Sequence, residues 1–194
     1  MENPFNPGYW TEEDLPKFGF AAVGTNVRVA KNCTILGLEN ISLGSNVRID
    51  GPTVIAASAG YVRIGSYVHI GGMSFIAGAG GVEIADFAGL SQGVRLYSAS
   101  DDYSGSSLTN PTIPREFLNV KKAPIMIGRH VIVGSGSVVL PGCTIGEGSS
   151  VGALTLVTKS LESWGVFLGT PAKRIKRRSK RLLELEGALL ASLS

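Results

Sequence analysis

Few residues in this chain suit proton transfer near neutral pH. The 194 residues include 2 histidines, His69 and His130, and one pair of adjacent aspartates, Asp101 and Asp102, within Ser98-Ala99-Ser100-Asp101-Asp102-Tyr103. A base of this kind takes a proton from a hydroxyl or amine nucleophile. A carboxyl group with a pKa near about 4 does so weakly unless burial or a like charge raises it. The alternative role for Asp101 and Asp102 is to cap a turn or bind acceptor hydroxyls without proton transfer. The imidazoles titrate in the useful range. His69 is expected to face outward from a regular element, and His130 to occupy a solvent-exposed bend.

Other chemistry is less favoured. Net charge is +3, too small to argue for a nucleic-acid partner. Lys173, Arg174, Lys176, Arg177, Arg178, Lys180 and Arg181 nevertheless fall within nine positions. Such a cluster suits phosphates, an anionic surface or one solvated helix face. Cys33 and Cys143 are far apart in the chain and read as small core fillers. No run of eighteen apolar residues and no leader-like segment is evident, so a cytoplasmic protein is expected.

The elements that position these residues follow an unusual period. An aliphatic residue recurs every sixth position at Ile127, Val133, Val139, Ile145, Val151 and Val157. The same register appears as Val23, Val29, Ile35; Leu43, Ile49, Ile55; Ile64, Ile70, Ile76; and Ile84, Leu90, Leu96. Six is neither the helical nor the two-residue strand period, so the chain turns a corner after each short strand. Three hexads per turn make a triangular prism. Four positions beyond each aliphatic residue lies a small or β-branched one, such as Cys33, Thr53, Ser74, Ser137, Cys143, Ser149 and Thr155, suited to a tight corner. The fold class expected is all-β, a parallel β-helix with a long inserted loop and a C-terminal α-helix.

The repeat divides the chain. Residues 1–20, with Pro4, Pro7, Pro16 and Thr11 set to cap a helical turn, read as a plug over the first coil. Residues 21–174 form the repeat domain, with a short bulge from Ala56 to Tyr61 and an insertion at 97–124. Loops beyond about twelve to fifteen residues are uncommon without a task, so a binding site is expected there. Its Ser98, Tyr97 and Tyr103 offer a hydroxyl and aromatic faces to a ligand. Residues 175–194 read as an amphipathic helix packed on the prism or on a second copy.

These hexads resemble those of the hexapeptide-repeat acyltransferases, over roughly residues 21–175. The resemblance implies a left-handed helix, a homotrimer and acyl transfer from coenzyme A, with acetyl-CoA as donor. It places Gly134, Ser135, Gly152, Ala153 and Thr155 along the pantetheine groove. Val157-Thr158-Lys159 and Gly169-Thr170-Pro171-Ala172-Lys173 match the family's C-terminal signature, which puts Lys159 and Lys173 near the phosphates and Arg174 or Arg177 near the ribose phosphate. Galactoside O-acetyltransferases of the family carry a histidine in the loop; here Asp101 stands at or near its place. That departure favours an amine acceptor, which needs less help from a base.

The resulting expectation is an acetyl-CoA-dependent transferase acting on a sugar hydroxyl or amine in surface-polysaccharide assembly, with no metal. The catalytic candidates are Asp101, Asp102 and His69. A nucleotide-linked amino-sugar N-acetyltransferase is the alternative within the class. A carbonic anhydrase on the same prism needs three histidine ligands, and the chain has 2. A non-catalytic scaffold would not need the Thr170-Pro171-Ala172-Lys173 tail.

Overall fold

The computed structural model describes residue 3 and residues 5–193. Met1, Glu2, Pro4 and Ser194, which belong to the expected plug and tail helix, lie outside the described residues. The chain winds through about seven turns of a left-handed β-helix. Its three faces are a nine-stranded and two six-stranded sheets.

Parallel pairing in strict register stacks like on like. On the nine-stranded face Val29, Ile49, Ile70, Leu90, Val133 and Val151 follow one another rung by rung. On a second face the column is Ile35, Ile55, Ile76, Leu96, Val139 and Val157. The third runs Val23, Leu43, Ile64, Ile84, Ile127 and Ile145. All point into one continuous core and are buried, except Val23 and Ile35 in the first coil, which are half-buried because no rung lies beneath them. Each fully buried side chain contributes about 1.5–3 kcal/mol of hydrophobic stabilisation.

The corners explain the other hexad positions. The residue three beyond the aliphatic one turns with positive φ, at Asn26, Asn46, Tyr67, Met73, Phe87, His130 and Leu154. The small position that follows tucks into the core. Its hydroxyls serve corner carbonyls that no strand can reach: Thr53 Oγ1 donates to Asp50 O (2.6 Å), Ser74 Oγ to Gly71 O (2.7 Å) and Ser137 Oγ to Gly152 O (2.9 Å). Cys143 is buried and Cys33 half-buried in the same role.

The ends depart from the sequence reading. Tyr9–Thr11 is a strand, paired antiparallel with Arg28–Ala30, and the expected turn follows it, closed by the Asp14 amide donating to Thr11 O (3.0 Å). Thr11 caps nothing; Asp14 accepts from the Thr11 amide (3.4 Å), and a 3-10 turn, Leu15–Phe18, buries Leu15 under the first coil. At the other end Lys173–Arg177 is a strand, antiparallel to Gly165–Leu168, so the helix does not begin at 175. It spans Leu182–Leu193, with no buried residue. The strand forms because Phe167 and its neighbours leave an open sheet edge that a turn at Gly169 lets the chain cover.

Arg178 fastens the tail. Its Nη1 donates to the carbonyls of His130 (2.7 Å), Gly148 (3.1 Å) and Ser149 (3.2 Å). Glu186 of the helix pairs with Arg129 and with His130 Nε2 (2.7 Å). His130 is therefore buried, stacked on Phe87 at 5.1 Å, and not in the exposed bend that the sequence suggested. The contact with residue 186 is too distant in sequence to be read from the hexad.

This environment makes stability pH-dependent. Desolvation, then Arg129, push the His130 pKa below its ordinary 6.5; Glu147 opposes them, and Arg178 adds a smaller push downward. The neutral ring donates Nε2–H to Glu186. Below about pH 6.5 the unfolded chain takes up a proton that the folded chain refuses, so stability falls with acidification. Thermal melts are expected to show a lower midpoint at about pH 5.5 than at about pH 7.5. The difference should shrink in His130→Asn, where asparagine tolerates the positive φ.

Candidate active site

The candidate groups fall into two clusters, on different parts of the structure. The first is the inserted loop. It leaves after the strand Arg95–Tyr97, forms a short hairpin between Ala99–Ser100 and Lys121–Lys122, and returns at Ile125–Ile127. A bridge between Leu108 and Leu118 and the turn Arg115–Phe117 fold its outer part. Between them lies a cavity of about 520 Å³ lined by Asp101, Asn110, Ile113, Arg115, Leu118 and Lys122, among others. Asp101 is half-buried and lines both this cavity and the adjoining one that contains Tyr103. Its carboxylate makes no hydrogen bond among the described residues.

Asp102 is used differently. Its oxygens accept from the Ser104 amide (2.8 Å) and the Ser107 hydroxyl (3.1 Å). Those bonds, the Ser104 one foremost, hold its pKa below the usual carboxylate range. Asp102 thus shapes the loop and leaves Asp101 as the available carboxylate. Ser98 is also committed: it is buried, donates to Ala77 O and accepts from the Gly80 amide (2.9 Å), so its hydroxyl does not reach an acceptor. Tyr97 stays in the coil, its ring 5.6 Å from Phe75. Tyr103 is fully exposed on the loop.

The second cluster lies on the nine-stranded face, centred on Asp50. Oδ1 accepts from Arg48 Nε (2.7 Å) and the Tyr9 hydroxyl (2.7 Å), while Oδ2 accepts from Arg48 Nη2 (3.0 Å) and lies 2.8 Å from His69 Nε2. Burial by itself raises this carboxyl, but the bonds from Arg48, His69 and Tyr9 outweigh it and hold the group well below the usual range. His69 pairs with Gly89 on the next rung, and Ser91 follows two residues later. No residue of this face lines the loop cavities.

The expected donor residues fall on the corner after that face. Gly134 and Gly152 are required by stacking: a β-carbon on Gly134 would lie 2.4 Å from the Ala153 amide nitrogen, and one on Gly152 would strike the Leu168 side chain. Ser135 and Ala153 follow them, half-buried and exposed. Thr155 is buried and accepts from the Gly169 amide (3.2 Å), so it supports the corner from inside instead of lining a groove. Lys159 and Lys173 are exposed, and Arg174 pairs with Glu162 (2.6 Å).

Sequence reasoning missed Asp50, Arg115 and Lys122. Asp50 had a signal: it occupies the position after the aliphatic residue, where Gly24, Gly44, Gly65, Gly128 and Gly146 stand in other hexads. A charged side chain there marks a departure from the stacking rule. Arg115 and Lys122 lie in the insertion, where no period constrains the reading.

Residues 124–159 match the family described as bacterial transferase hexapeptide (six repeats). The chain is 43% identical over 184 residues to the dTDP-4-amino-4,6-dideoxy-D-glucose acyltransferase of Escherichia coli, covering 95% of this chain and 96% of that one. It therefore belongs to the hexapeptide-repeat acyltransferases. AntD, an N-acyltransferase from Bacillus cereus solved with dTDP and 3-hydroxybutyryl-CoA, superposes with a TM-score of 0.92 at 40% identity, covering 96% and 98% of the two chains. The protein described as a lipopolysaccharide biosynthesis O-acetyl transferase, WbbJ of Escherichia coli strain K12, is 30% identical over 141 residues, 72% of this chain and 69% of that one.

Proposed function

We propose that the protein transfers an acyl group from acyl-CoA to the amine of a nucleotide-linked amino sugar, as a step toward surface polysaccharide. The observation that carries this reading is the Asp101 carboxylate, without a hydrogen bond among the described residues, in a loop cavity that also holds Arg115 and Lys122. A carboxylate anchors an amine, and two cations suit the diphosphate of a sugar nucleotide. A plain glycoside would have no use for the cations.

Similarity over nearly the whole chain to an acyltransferase named for a dTDP-linked 4-amino sugar supports the acceptor class. A serine and an aspartate replaced in the AntD structures stand ten residues apart, and Ser91 and Asp101 are the Ser–Asp pair of that spacing in this chain. Acyl-CoA fits along the corner formed by Gly134, Ser135, Gly152 and Ala153, with Lys159, Lys173 and Arg174 toward its phosphates. Acetyl-CoA is the donor of choice for a first assay.

The loop and the nine-stranded face belong to separate parts of one chain, which favours a homotrimer whose clefts join the loop of one copy to the face of another. The exposed leucines of the tail helix, Leu185, Leu189, Leu190 and Leu193, also suit contact between copies. Among the described residues no helix is long and apolar enough to cross a membrane, in keeping with work on a soluble nucleotide sugar.

Thiol release from acetyl-CoA tests the reading. Turnover is expected with dTDP-4-amino-4,6-dideoxyglucose and not with galactosides or maltose. Turnover with the glycosides alone would overturn the amine assignment.

A further inference from the structure

The Asp50 cluster has more contacts than a brace requires. Tyr9 and Arg48 would suffice to tie the N-terminal strand to the prism, yet His69 also turns Nε2 onto Oδ2 at 2.8 Å. Asp50 is mostly buried, at 20% side-chain exposure, while His69 is 49% exposed. One ring edge is thus fastened and the other is presented to solvent.

The chemistry of the contact sets the tautomer. Both carboxylate oxygens already accept from Arg48, so Asp50 is an acceptor only, and Nε2 must carry the proton. In the neutral ring the lone pair then sits on Nδ1, which has no hydrogen-bond partner among the described residues. The neighbouring rung offers room beside it: His69 pairs with Gly89, and a β-carbon built there meets nothing within 4 Å. On the other side stand Arg48 and Asp50, and Tyr9 reaches in from the N-terminal strand; these are the charged and titratable groups facing the ring.

We infer that Asp50 is a positioning residue that holds His69 with Nδ1 ready to take the proton released when the acceptor amine is acylated. The inference rests on the proposed amine acylation and adds the group that removes the proton. The amine nitrogen attacks the thioester carbonyl carbon, a C–N bond forms, and the C–S bond breaks. The proton leaves the nitrogen for Nδ1 and passes from there to the departing thiolate. Orienting partners of this kind fix tautomer and ring angle, and their loss costs from about 10–100-fold at metal-bound rings to about 10⁴-fold in a Ser-His-Asp triad.

The test combines steady-state kinetics with nitrogen NMR of isotope-labelled histidine, which is tractable because the chain has 2 histidines. With acetyl-CoA and dTDP-4-amino-4,6-dideoxyglucose, Asp50→Asn is expected to lower kcat about 10–100-fold while both KM values stay within about twofold. The His69 ring should lose its Nε2–H tautomer in the same variant. Asp50→Glu keeps the charge and should retain the tautomer and most of the rate; it also carries the test should the asparagine variant fail to fold. An unchanged kcat in Asp50→Asn, or a fall in kcat with the ring tautomer intact, overturns the inference. Absence of turnover by the wild type with any nucleotide-linked amine would instead sink the proposed reaction, and the ring spectrum would then decide the Asp50–His69 contact alone.

Discussion

Asp101→Asn is expected to lower kcat/KM for the amino-sugar acceptor about a hundredfold, roughly 2.7 kcal/mol of transition-state stabilisation. The reason is that this carboxylate makes no hydrogen bond among the described residues and lines two cavities of the loop, so an incoming amine would meet it unopposed. An amide is neutral and presents a donor toward the amine, which weakens both attraction and orientation. KM for acyl-CoA should stay within about twofold, since the donor corner lies elsewhere. Asp102→Asn provides the contrast. That side chain holds the loop through Ser104 and Ser107, so the change should cost less than about fivefold and act through loop order. Initial-rate measurements with both substrates varied check the pair. Equal effects of the two substitutions would remove Asp101 from its proposed role.

Leu96→Ala is expected to have the largest effect on stability. Leu96 is fully buried, stacked between Ile76 below and Val139 above, at the rung where the insertion leaves. Removing its side chain leaves a cavity that the rigid rungs cannot close, at a cost of about 2–5 kcal/mol. For a chain of this length each kcal/mol lowers the melting temperature by about 2–4 °C. A fall of roughly 4–20 °C is therefore expected by calorimetry. Ile35→Ala in the half-buried first coil should cost less, because part of that side chain already meets solvent. A shift at Leu96 no larger than at Ile35 would contradict the continuous core.

How much of this was legible in the sequence depends on whether the residue obeys the stacking period. The three aliphatic columns, the small corner residues and the place of the insertion all follow from a repeat of six, because identical rungs impose identical demands on each position. The tail did not follow. Lys173–Arg177 is a strand because Gly165–Leu168 presents an open edge, a tertiary circumstance that charge composition does not reveal. His130 was misplaced for a similar reason: its fate is set by Glu186, far along the chain.

The candidate site divides along the same line. Asp101, Asp102 and His69 could be singled out because proton-transfer groups are scarce here. Which aspartate is available could not, because it depends on hydrogen bonds to Ser104 and Ser107 inside a loop without period. Thr155 and Ser98 were assigned to ligand surfaces, yet their hydroxyls serve backbone groups in the corners. Hydroxyl-bearing corner residues in such a repeat are better read as internal partners first.

The insertion leaves at Tyr97 and returns at Ile125 with its base closed by the Ala123 amide donating to Ser98 O (3.0 Å), and the rungs on either side keep their register across it. The column is thus indifferent to what the excursion contains. Under the proposed function, most recognition of the second substrate would fall to a cassette that the column does not constrain, whereas the rungs proposed to carry the thioester are held by their own neighbours. Exchanging cassettes between relatives should redirect acceptor choice without rebuilding the support.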